Sequence, residues 1–441
     1  MPPAGYIGVD LGTTGCRGVA IDGSGNQIAE AARPLPPPTR DGLGGSRQDP
    51  ELWWEALVGV LRTLAGDLPG HRPRALAIDG TSATLLLADE AGAPLGPALM
   101  YDDCSGARAL ERLSATAPAD TAVHSPSSSL AKLVELCHGQ TVFRAAFALH
   151  QADWILGRLT GRPGISDENN CLKLGYDAAR RTWPAWIRDP ALGIPPRLLP
   201  EVLPAGTAVG PLRPGLAGLL GLPADILVVT GTTDSTAAAL AAGARSPGDA
   251  VTCLGSTLVV KILAAEPVFC AANGVYSHRL GDLWLAGGAS NSGGAVLRRF
   301  FSPEEMAAME PKLDPRTPTG LGYYPLLRPG ERFPVNDPSR APLTEPRPDD
   351  PVRFFQGLLE GIAAIERSGY RRLAALGAPP PGRVLSIGGG ARNPAWRRIR
   401  ERLLGIPVVL APRQQAAYGS ALLALAGARR LGLDALSEIV Q

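Results

Sequence analysis

Asp10 stands at a place where chemistry could begin, at the end of an apolar stretch and just before a turn rich in glycine and threonine. It follows Tyr6–Val9 and precedes Gly12, Thr13 and Thr14. A carboxylate at the end of a buried strand is costly unless a cation or a hydrogen-bond donor meets it. The backbone N–H groups of such a turn can form an anion-binding nest. The pattern suits magnesium on one side and phosphoryl oxygens on the other, and an ordinary hairpin with an Asp in its turn is an equally weighted alternative.

A second aspartate, Asp234, is predicted at the start of a helix. The apolar stretch Ile226–Thr230 predicts a strand that runs through Gly231 into this helix. By itself an Asp at this place is more often an N-cap than a catalytic group, because Asp is a preferred capping residue. Asp79 also ends a predicted buried strand and is ambiguous in the same way, since it could simply bond to the turn that follows it.

A third turn repeats the pattern of the first. Gly255, Ser256 and Thr257 separate two apolar stretches, so the order is again strand, turn, strand. The backbone N–H groups of this turn could also meet phosphate. Two similar hairpins, one in each half of the chain, suggest a duplicated unit.

A fourth turn has room for a flat ring close to the backbone. It contains Gly389 and Gly390, and a helix is predicted to begin at Asn393-Pro394. Trp396 lies one turn into that helix and could cover the ring. A core tryptophan is an equally weighted alternative for this residue.

Composition excludes several classes of protein. The chain has 441 residues and a net charge of +2 at pH 7, which is too weak for a nucleic-acid or membrane-surface protein. The six cysteines are scattered without a CxxC pair, which argues against zinc and against a disulfide framework. There is no signal-peptide pattern and no apolar run near the roughly 18 residues of a membrane span. We therefore expect a cytoplasmic protein.

The apolar patterns around these turns predict an α/β protein of two or three domains. Three strands, a helix beginning at Asp49-Pro50 and a further strand make a mixed sheet with a crossover connection. A second core is predicted to begin at Ile226. For the polar stretch Ser166–Asn170 a surface loop is favoured over a loop that binds a hydroxylated ligand.

The motifs, in their order along the chain, resemble those of the FGGY family of carbohydrate kinases. The resemblance rests on Val9–Thr14 and Gly231–Asp234 as the two phosphate motifs, Gly255–Thr257 as the β-hairpin, and Ile387–Pro394 as the adenosine motif. It implies two actin/hexokinase-like (ribonuclease H-like) domains that flank a deep cleft for nucleotide and sugar. The expected domains are residues 1–242 for sugar and phosphate and residues 243–441 for nucleotide, with about 415–441 packing back on the first.

The resemblance also implies roles for individual residues. Asp234 is the expected general base, and Asp10 is expected to hold magnesium and to touch the sugar. Ser82 and Asp102 are expected to bind the sugar together with these two aspartates. ATP and Mg²⁺ are the implied cofactors. The expected contacts to ATP come from Gly12, Thr13, Thr14, Gly255, Ser256, Thr257, Gly389, Gly390, Asn393 and Trp396.

Within the family the chain looks closest to the short plant and cyanobacterial branch of pentulose kinases, through Ala77–Ser82 and Gly287–Asn291. It lacks the Arg-Glu pair that glycerol kinases carry near Ser82-Ala83. The implied reaction is phosphorylation of D-ribulose to D-ribulose 5-phosphate, with a D-xylulose kinase or an actin-like ATPase without a sugar substrate as alternatives. The partners are then a small sugar and ATP, and the oligomeric state is left open between a monomer and a homodimer.

Overall fold

The computed structural model describes residues 2–68 and 70–433, which form two compact units. The first contains the chain up to Ala241, the short segment His278–Asp282 and the chain from Gln415 onward. The second contains Ala242–Ser277 and Leu283–Gln414. Of the C-terminal segment predicted to pack on the first domain, residues 434–441 lie outside the described residues. The division of roles between a sugar-binding and a nucleotide-binding domain stays a prediction.

The first unit is built largely from the N-terminal half of the chain. Its strands are β1 (Ala4–Leu11), β2 (Gly15–Ile21), β3 (Gln27–Pro34), β4 (Thr39–Arg40), β5 (Ser46–Gln48), β6 (Arg72–Gly80), β7 (Leu85–Ala88), β8 (Ala98–Leu99), β9 (Phe147–His150), β10 (Ile165–Asp167), β11 (Glu201–Leu203), β12 (Ala208–Pro211) and β13 (Leu227–Val229). Its helices are α1 (Pro50–Gly66), α2 (Leu110–Thr116), α3 (Ser129–Leu136), α4 (Gln151–Thr160), α5 (Leu216–Leu220) and α6 (Asp234–Ala242), the last of which ends at the boundary between the units.

The second unit follows in chain order. Its strands are β14 (Asp249–Leu254), β15 (Leu258–Ala264), β17 (Leu283–Ala289), β18 (Arg383–Ile387) and β19 (Val408–Leu410), while β16 (Tyr276–Leu280) crosses the boundary between the units at Ser277. Its helices are α7 (Gly294–Phe300), α8 (Pro303–Met309), α9 (Pro351–Ala375) and α10 (Pro394–Leu404). A last helix, α11 (Ala416–Arg429), belongs to the first unit.

The main sheet of the first unit has the strand order β12-β13-β6-β1-β2-β3. β1 and β2 form the antiparallel hairpin predicted around Gly12, and β6 lies parallel to β1 on its other side. Helix α1 packs on β2 and β3, where Val60 and Leu64 contact Gly18. Helix α11 packs on β1 so closely that a Cβ atom on Gly8 would lie 2.0 Å from the backbone nitrogen of Ala421. Only glycine permits that approach of helix to strand.

Helix α1 begins as the sequence predicts. The Asp49 side chain accepts a hydrogen bond from the backbone nitrogen of Glu51 at 3.0 Å, and Pro50 occupies the first helical position. The N-cap supplies an acceptor for an N–H group that has no partner within the helix, and proline has no N–H to leave unpaired. Trp53 and Leu57 lie on the buried face of this helix.

The other six-stranded sheet, in the order β16-β17-β15-β14-β18-β19, repeats the pattern of the first. The antiparallel hairpin β14–β15 corresponds to β1–β2, and β18 lies parallel to β14 as β6 does to β1. The two-domain α/β fold class is therefore confirmed, and the repeated topology supports a duplicated unit. Across the described part of the chain, we find no helix with the length and apolar character needed to span a membrane.

Candidate active site

Asp10 and Asp79 lie opposite each other at the ends of the parallel strands β1 and β6. Residues in register on neighbouring strands point to the same face of a sheet, so both carboxyl groups are on one face. The Asp79 side chain is fully buried, and its Oδ2 accepts a hydrogen bond of 2.6 Å from Ser420 of α11. Its Oδ1 has no hydrogen-bond partner among the described residues. Together with Asp234 these residues form what we call the acidic cluster.

Burial and mutual repulsion raise the pKa values in the acidic cluster. The pKa of Asp10 rises to about 6, first because burial disfavours the charged form and then because of the charge on Asp234. The pKa of Asp79 lies well above its ordinary value, mainly through burial and then through Asp10. Two ionised carboxylates have no proton to share and cannot hydrogen bond to each other. The cluster therefore needs a cation or a proton to stabilise its charges.

Asp234 begins a helix, whereas Asp10 and Asp79 lie on strands. It is half-buried, as Asp10 is, and its Oδ1 accepts from the backbone nitrogen of Ser235 at 2.5 Å. A half-buried carboxylate can meet both the solvent and the other acids of the cluster. The structure thus brings the two predicted catalytic residues, Asp10 and Asp234, into one electrostatic group and adds Asp79, which the sequence left ambiguous.

The backbone of the turn after Asp10 is fixed by hydrogen bonds, most of them to its carbonyl groups. Gly12 donates its backbone N–H to the carbonyl of Gly15 at 2.9 Å. The carbonyl of Thr14 accepts from the backbone nitrogen of Leu35 at 2.9 Å, and that of Thr13 accepts from Gln48 at 3.3 Å. Thr14 is exposed and Thr13 half-buried, so an anion could approach this turn from the solvent.

The two other predicted sugar-binding residues lie in neighbouring loops of the first unit. The Ser82 hydroxyl is buried and has no hydrogen-bond partner among the described residues, so it has both a donor and an acceptor to offer. Asp102 forms an ion pair of 2.6 Å with Arg40, and its side chain is 25% exposed. Asp102 is therefore engaged by Arg40 in this structure, and a sugar hydroxyl would have to share it.

The stretch Ser166–Asn170 is buried, so the surface loop that its polar sequence favours is wrong. Each of its five residues is buried. Asn169 donates to the Thr232 hydroxyl at 2.9 Å and to the Arg279 carbonyl at 2.8 Å, and it accepts from the Arg279 backbone nitrogen at 2.7 Å. Thr232 lies two residues before Asp234, so this buried loop fixes the turn that leads into α6. Its polarity predicts exposure, but much of that polarity is bound within the protein, since the Asp167 carboxylate also accepts from the backbone nitrogens of Asn169 and Asn170.

In the second unit the turn Gly255–Thr257 is tied to the start of α7. The carbonyls of Gly255 and Ser256 accept from the backbone nitrogens of Gly294 and Ala295 at 2.9 and 3.0 Å. Arg298 donates to the Ser256 hydroxyl at 2.9 Å, which places a guanidinium group beside this turn. The sequence does not point to Arg298, because a single arginine in a helix of an arginine-rich chain gives no signal.

The glycine turn before α10 has the backbone that the sequence predicts, but Trp396 does not lie over it where it could cover a ring. Gly388 has φ +87, a conformation that other residues rarely adopt, and a Cβ atom on Gly389 would meet nothing within 4 Å. The Asn393 side-chain oxygen caps α10 by accepting from the backbone nitrogen of Trp396 at 2.7 Å. Trp396 is 2% exposed, and its indole donates to the Leu359 carbonyl at 3.1 Å. The core alternative is therefore correct for Trp396, which supports the turn from beneath.

The residues of the acidic cluster suit a hard cation in their chemistry. Carboxylate oxygens are the ligands that Mg²⁺ prefers, and it often takes only one or two of them and completes its shell with water and substrate phosphate. Within residues 2–68 and 70–433, no three His, Cys, Asp or Glu side chains are grouped as a ready-made metal site.

Comparison with known proteins agrees with these motifs. The sequence profile of the N-terminal domain of the FGGY family of carbohydrate kinases matches residues 5–241, and that of the C-terminal domain matches residues 250–428. A xylulose kinase from Streptomyces rubiginosus is 30% identical over 90% of this chain and 82% of its own. An erythritol kinase from Brucella abortus (strain 2308) is 27% identical over 95% of this chain and 86% of its own.

Solved structures agree as well. The crystal structure of xylulose kinase from Rhodospirillum rubrum superposes with a TM-score of 0.87 at 25% identity, covering 99% of this chain and 92% of its own. Both family profiles match in their proper order and together span most of the chain. This protein therefore belongs to the FGGY family of carbohydrate kinases.

Proposed function

We propose that the protein transfers the γ-phosphate of ATP to a terminal hydroxyl of a pentulose. The observation that carries this proposal is the placement of Asp234, a half-buried carboxylate at the start of α6 whose charge acts on the half-buried Asp10. Transfer to an alcohol needs a base that accepts the hydroxyl proton, and a carboxylate within reach of solvent and of other acids can do so. Family membership supplies the reaction class.

In the proposed reaction Asp234 accepts the proton of the attacking hydroxyl as its oxygen bonds to the γ-phosphorus, while the bond from that phosphorus to the bridging oxygen breaks and ADP leaves. General base catalysis of this kind contributes about 10² to 10⁴ in rate. Ser82, with its unpartnered hydroxyl, is proposed to orient the sugar.

Phosphoryl transfer depends mainly on neutralising and positioning charge. Mg²⁺ bound with ATP would supply positive charge near the phosphates, and Asp10 is the residue proposed to hold it. The backbone N–H groups of Thr13 and Thr14 would donate to phosphate oxygens, and so would those of Ser256 and Thr257 in the second unit. Arg298, beside Ser256, would add a cation to that turn.

The adenosine is proposed to lie on the turn formed by Gly389 and Gly390. Nothing lies within 4 Å of the Cβ position of Gly389, so a ring could approach its backbone. Trp396 packs beneath this turn from the core, so its ring does not cover the adenosine.

D-Ribulose is the proposed preferred sugar. The chain offers the small residues Gly80, Thr81 and Ser82 where glycerol kinases carry an Arg-Glu pair, which leaves room for a longer polyol. A second candidate, D-xylulose, is favoured by the names of similar proteins, among them the Streptomyces rubiginosus xylulose kinase. The two sugars differ only in configuration at C3, so the choice rests on how hydroxyls are bound.

A coupled assay of ADP release tests the proposal. The purified protein is given MgATP with D-ribulose, D-xylulose, erythritol, gluconate or glycerol, each over a range of concentrations. We expect kcat/KM to be highest for D-ribulose, lower for D-xylulose and negligible for glycerol. ADP release that does not depend on any of these sugars would contradict the proposed kinase function.

A further inference from the structure

Lys132 is buried in the first unit, where its ammonium group reaches two carbonyl groups of different loops. The residue has no solvent-exposed surface. It lies on α3, and its Nζ donates to the carbonyl of Ala83 at 2.9 Å and to that of Met100 at 2.6 Å. Ala83 directly follows Ser82, and Met100 lies two residues before Asp102. The two loops joined by Lys132 are thus those that carry the two proposed sugar-binding residues outside the acidic cluster.

The loop that carries Ser82 has an unusual backbone. Ala83 has φ +72, one of four non-glycine residues with positive φ in the described part of the chain. A left-handed conformation costs a residue with a Cβ about 1–2 kcal/mol, so surrounding contacts must hold it in place. The hydroxyls of Thr81 and Thr84 bond to each other at 2.6 Å and close the same turn. Lys132 fixes this turn from the other side by donating to the Ala83 carbonyl.

The loop that carries Asp102 is fixed at the Met100 carbonyl. The Met100 carbonyl accepts from the backbone nitrogen of Asp103 at 3.0 Å as well as from Lys132. The Asp103 carboxylate accepts from the backbone nitrogen of Ser46 at 2.7 Å, which ties this loop to β5. The Ser82 loop has a tie of its own, because Thr81 donates to Gln151 of α4. Lys132 adds a direct link between the two loops.

A purely structural role would be filled more cheaply by an apolar side chain. Moving an ammonium group into the interior is costly unless its donors are all well placed. Burial lowers the pKa of Lys132 to about 8, and the Asp103 carboxylate opposes that shift. The amine keeps at least two N–H groups whether or not it carries the extra proton, which is as many as the carbonyls that it binds.

We propose that Lys132 is a positioning residue for the sugar, which sets the spacing between the Ser82 loop and the Asp102 loop. This inference rests on the proposed function, because it takes both loops to contact the sugar. Lys132 itself does not touch the substrate. Its loss would let the two loops move apart, and an error of ~1 Å in positioning can cost ~10² in rate.

The test compares Lys132→Met, which keeps the length of the side chain and removes its donors, with Leu133→Ala. Leu133 is a fully buried neighbour on the same helix and makes no side-chain hydrogen bond, so it controls for loss of stability. Measured are KM for D-ribulose and D-xylulose, KM for ATP, kcat, and the rise in Tm that each sugar causes. We expect Lys132→Met to raise the KM for both sugars by about tenfold or more and to change their kcat/KM ratio.

The KM for ATP serves as the internal reference. KM for ATP should stay within about twofold in Lys132→Met, because the mutation disturbs binding of the sugar alone. Leu133→Ala should lower Tm without changing either sugar KM or the ratio between sugars. Sugar KM values and a sugar ratio that match those of Leu133→Ala would overturn the inference.

A second variant covers the case in which Lys132→Met does not fold. Lys132→Arg keeps the charge and the donors on a longer and wider group, so we expect a raised sugar KM with ATP binding preserved. Wild-type sugar binding in Lys132→Arg would then overturn the inference. A wild-type protein without sugar-dependent ADP release would instead overturn the proposed function, so the two failures are distinguishable.

Discussion

Ser420, in the last described helix, donates a hydrogen bond of 2.6 Å to Asp79, which lies 341 residues earlier in the chain. Asp79 in turn lies opposite Asp10 on the neighbouring strand. The close approach of α11 to Gly8 brings this serine to the sheet. The C-terminal part of the chain thus helps to build the acidic cluster and does not merely cover the first unit.

Ser420→Ala should destabilise the protein. Removing the hydroxyl leaves the buried Asp79 carboxyl group without its donor, and an unsatisfied buried polar group costs about 1–3 kcal/mol. The measurement is the free energy of unfolding in urea. Ser114→Ala, at an exposed position in α2, controls for the better helix propensity of alanine. Equal stabilities for the two variants would show that the bond to Asp79 contributes nothing.

Asp234→Asn should abolish sugar-dependent turnover and leave binding of ATP nearly intact. An amide cannot accept the proton of the attacking hydroxyl, so kcat should fall by about 10² or more. Initial rates of ADP release and KM for ATP are the measurements. Asp225→Asn is the matched control, since Asp225 forms only an exposed ion pair with Arg72. Turnover within about tenfold of wild type would defeat the assignment of Asp234 as the base.

Asp167→Asn should change how stability depends on pH. Burial, and then the charge on Asp153, raises the pKa of Asp167 from 3.8 to about 8. Between these values the folded protein keeps a proton that the unfolded chain has lost, so this group's contribution to stability falls as pH rises. Asparagine does not titrate, so the advantage of wild type over the variant should shrink from pH 4 to pH 8. A constant difference in unfolding free energy across that range would contradict the pKa of Asp167.

Trp396→Ala should act mainly on stability. Truncation of a buried aromatic side chain costs about 3–5 kcal/mol, and the indole hydrogen bond to Leu359 is lost as well. Trp396→Phe keeps most of the packing and should be milder. Urea unfolding and KM for ATP are measured for both variants. A raised KM for ATP in a Trp396→Phe protein of normal stability would show that the tryptophan contributes to ATP binding.

Much of the site could be predicted from the sequence because its motifs are local. A strand, a glycine turn and an aspartate are adjacent in the chain, so Asp10 and the Gly12 turn could be placed without knowledge of the fold. The cap of α1 at Asp49 and the start of α6 at Asp234 were predicted for the same reason, since capping depends on the next few residues.

What the sequence could not show depends on contacts between distant segments. The loop Ser166–Asn170 reads as a surface loop because its partners, Thr232 and Arg279, are far away in the chain. Lys132 gives no local sign of its two carbonyl partners either. Trp396 follows the glycine turn at a suitable spacing, but the packing of α10 on α9 turns its ring into the core.

The most direct test of the account is the rate of ADP release by the wild-type protein with and without a pentulose. Saturating MgATP is supplied with D-ribulose, with D-xylulose or with no sugar, and Asp234→Asn is run beside the wild type. The account predicts slow release without sugar, strong stimulation by a pentulose, most of all by D-ribulose, and none in the variant. If D-xylulose is the better substrate, the proposed preference for D-ribulose is wrong but the proposed kinase function stands. Release at the same rate with and without sugar would contradict the central claim.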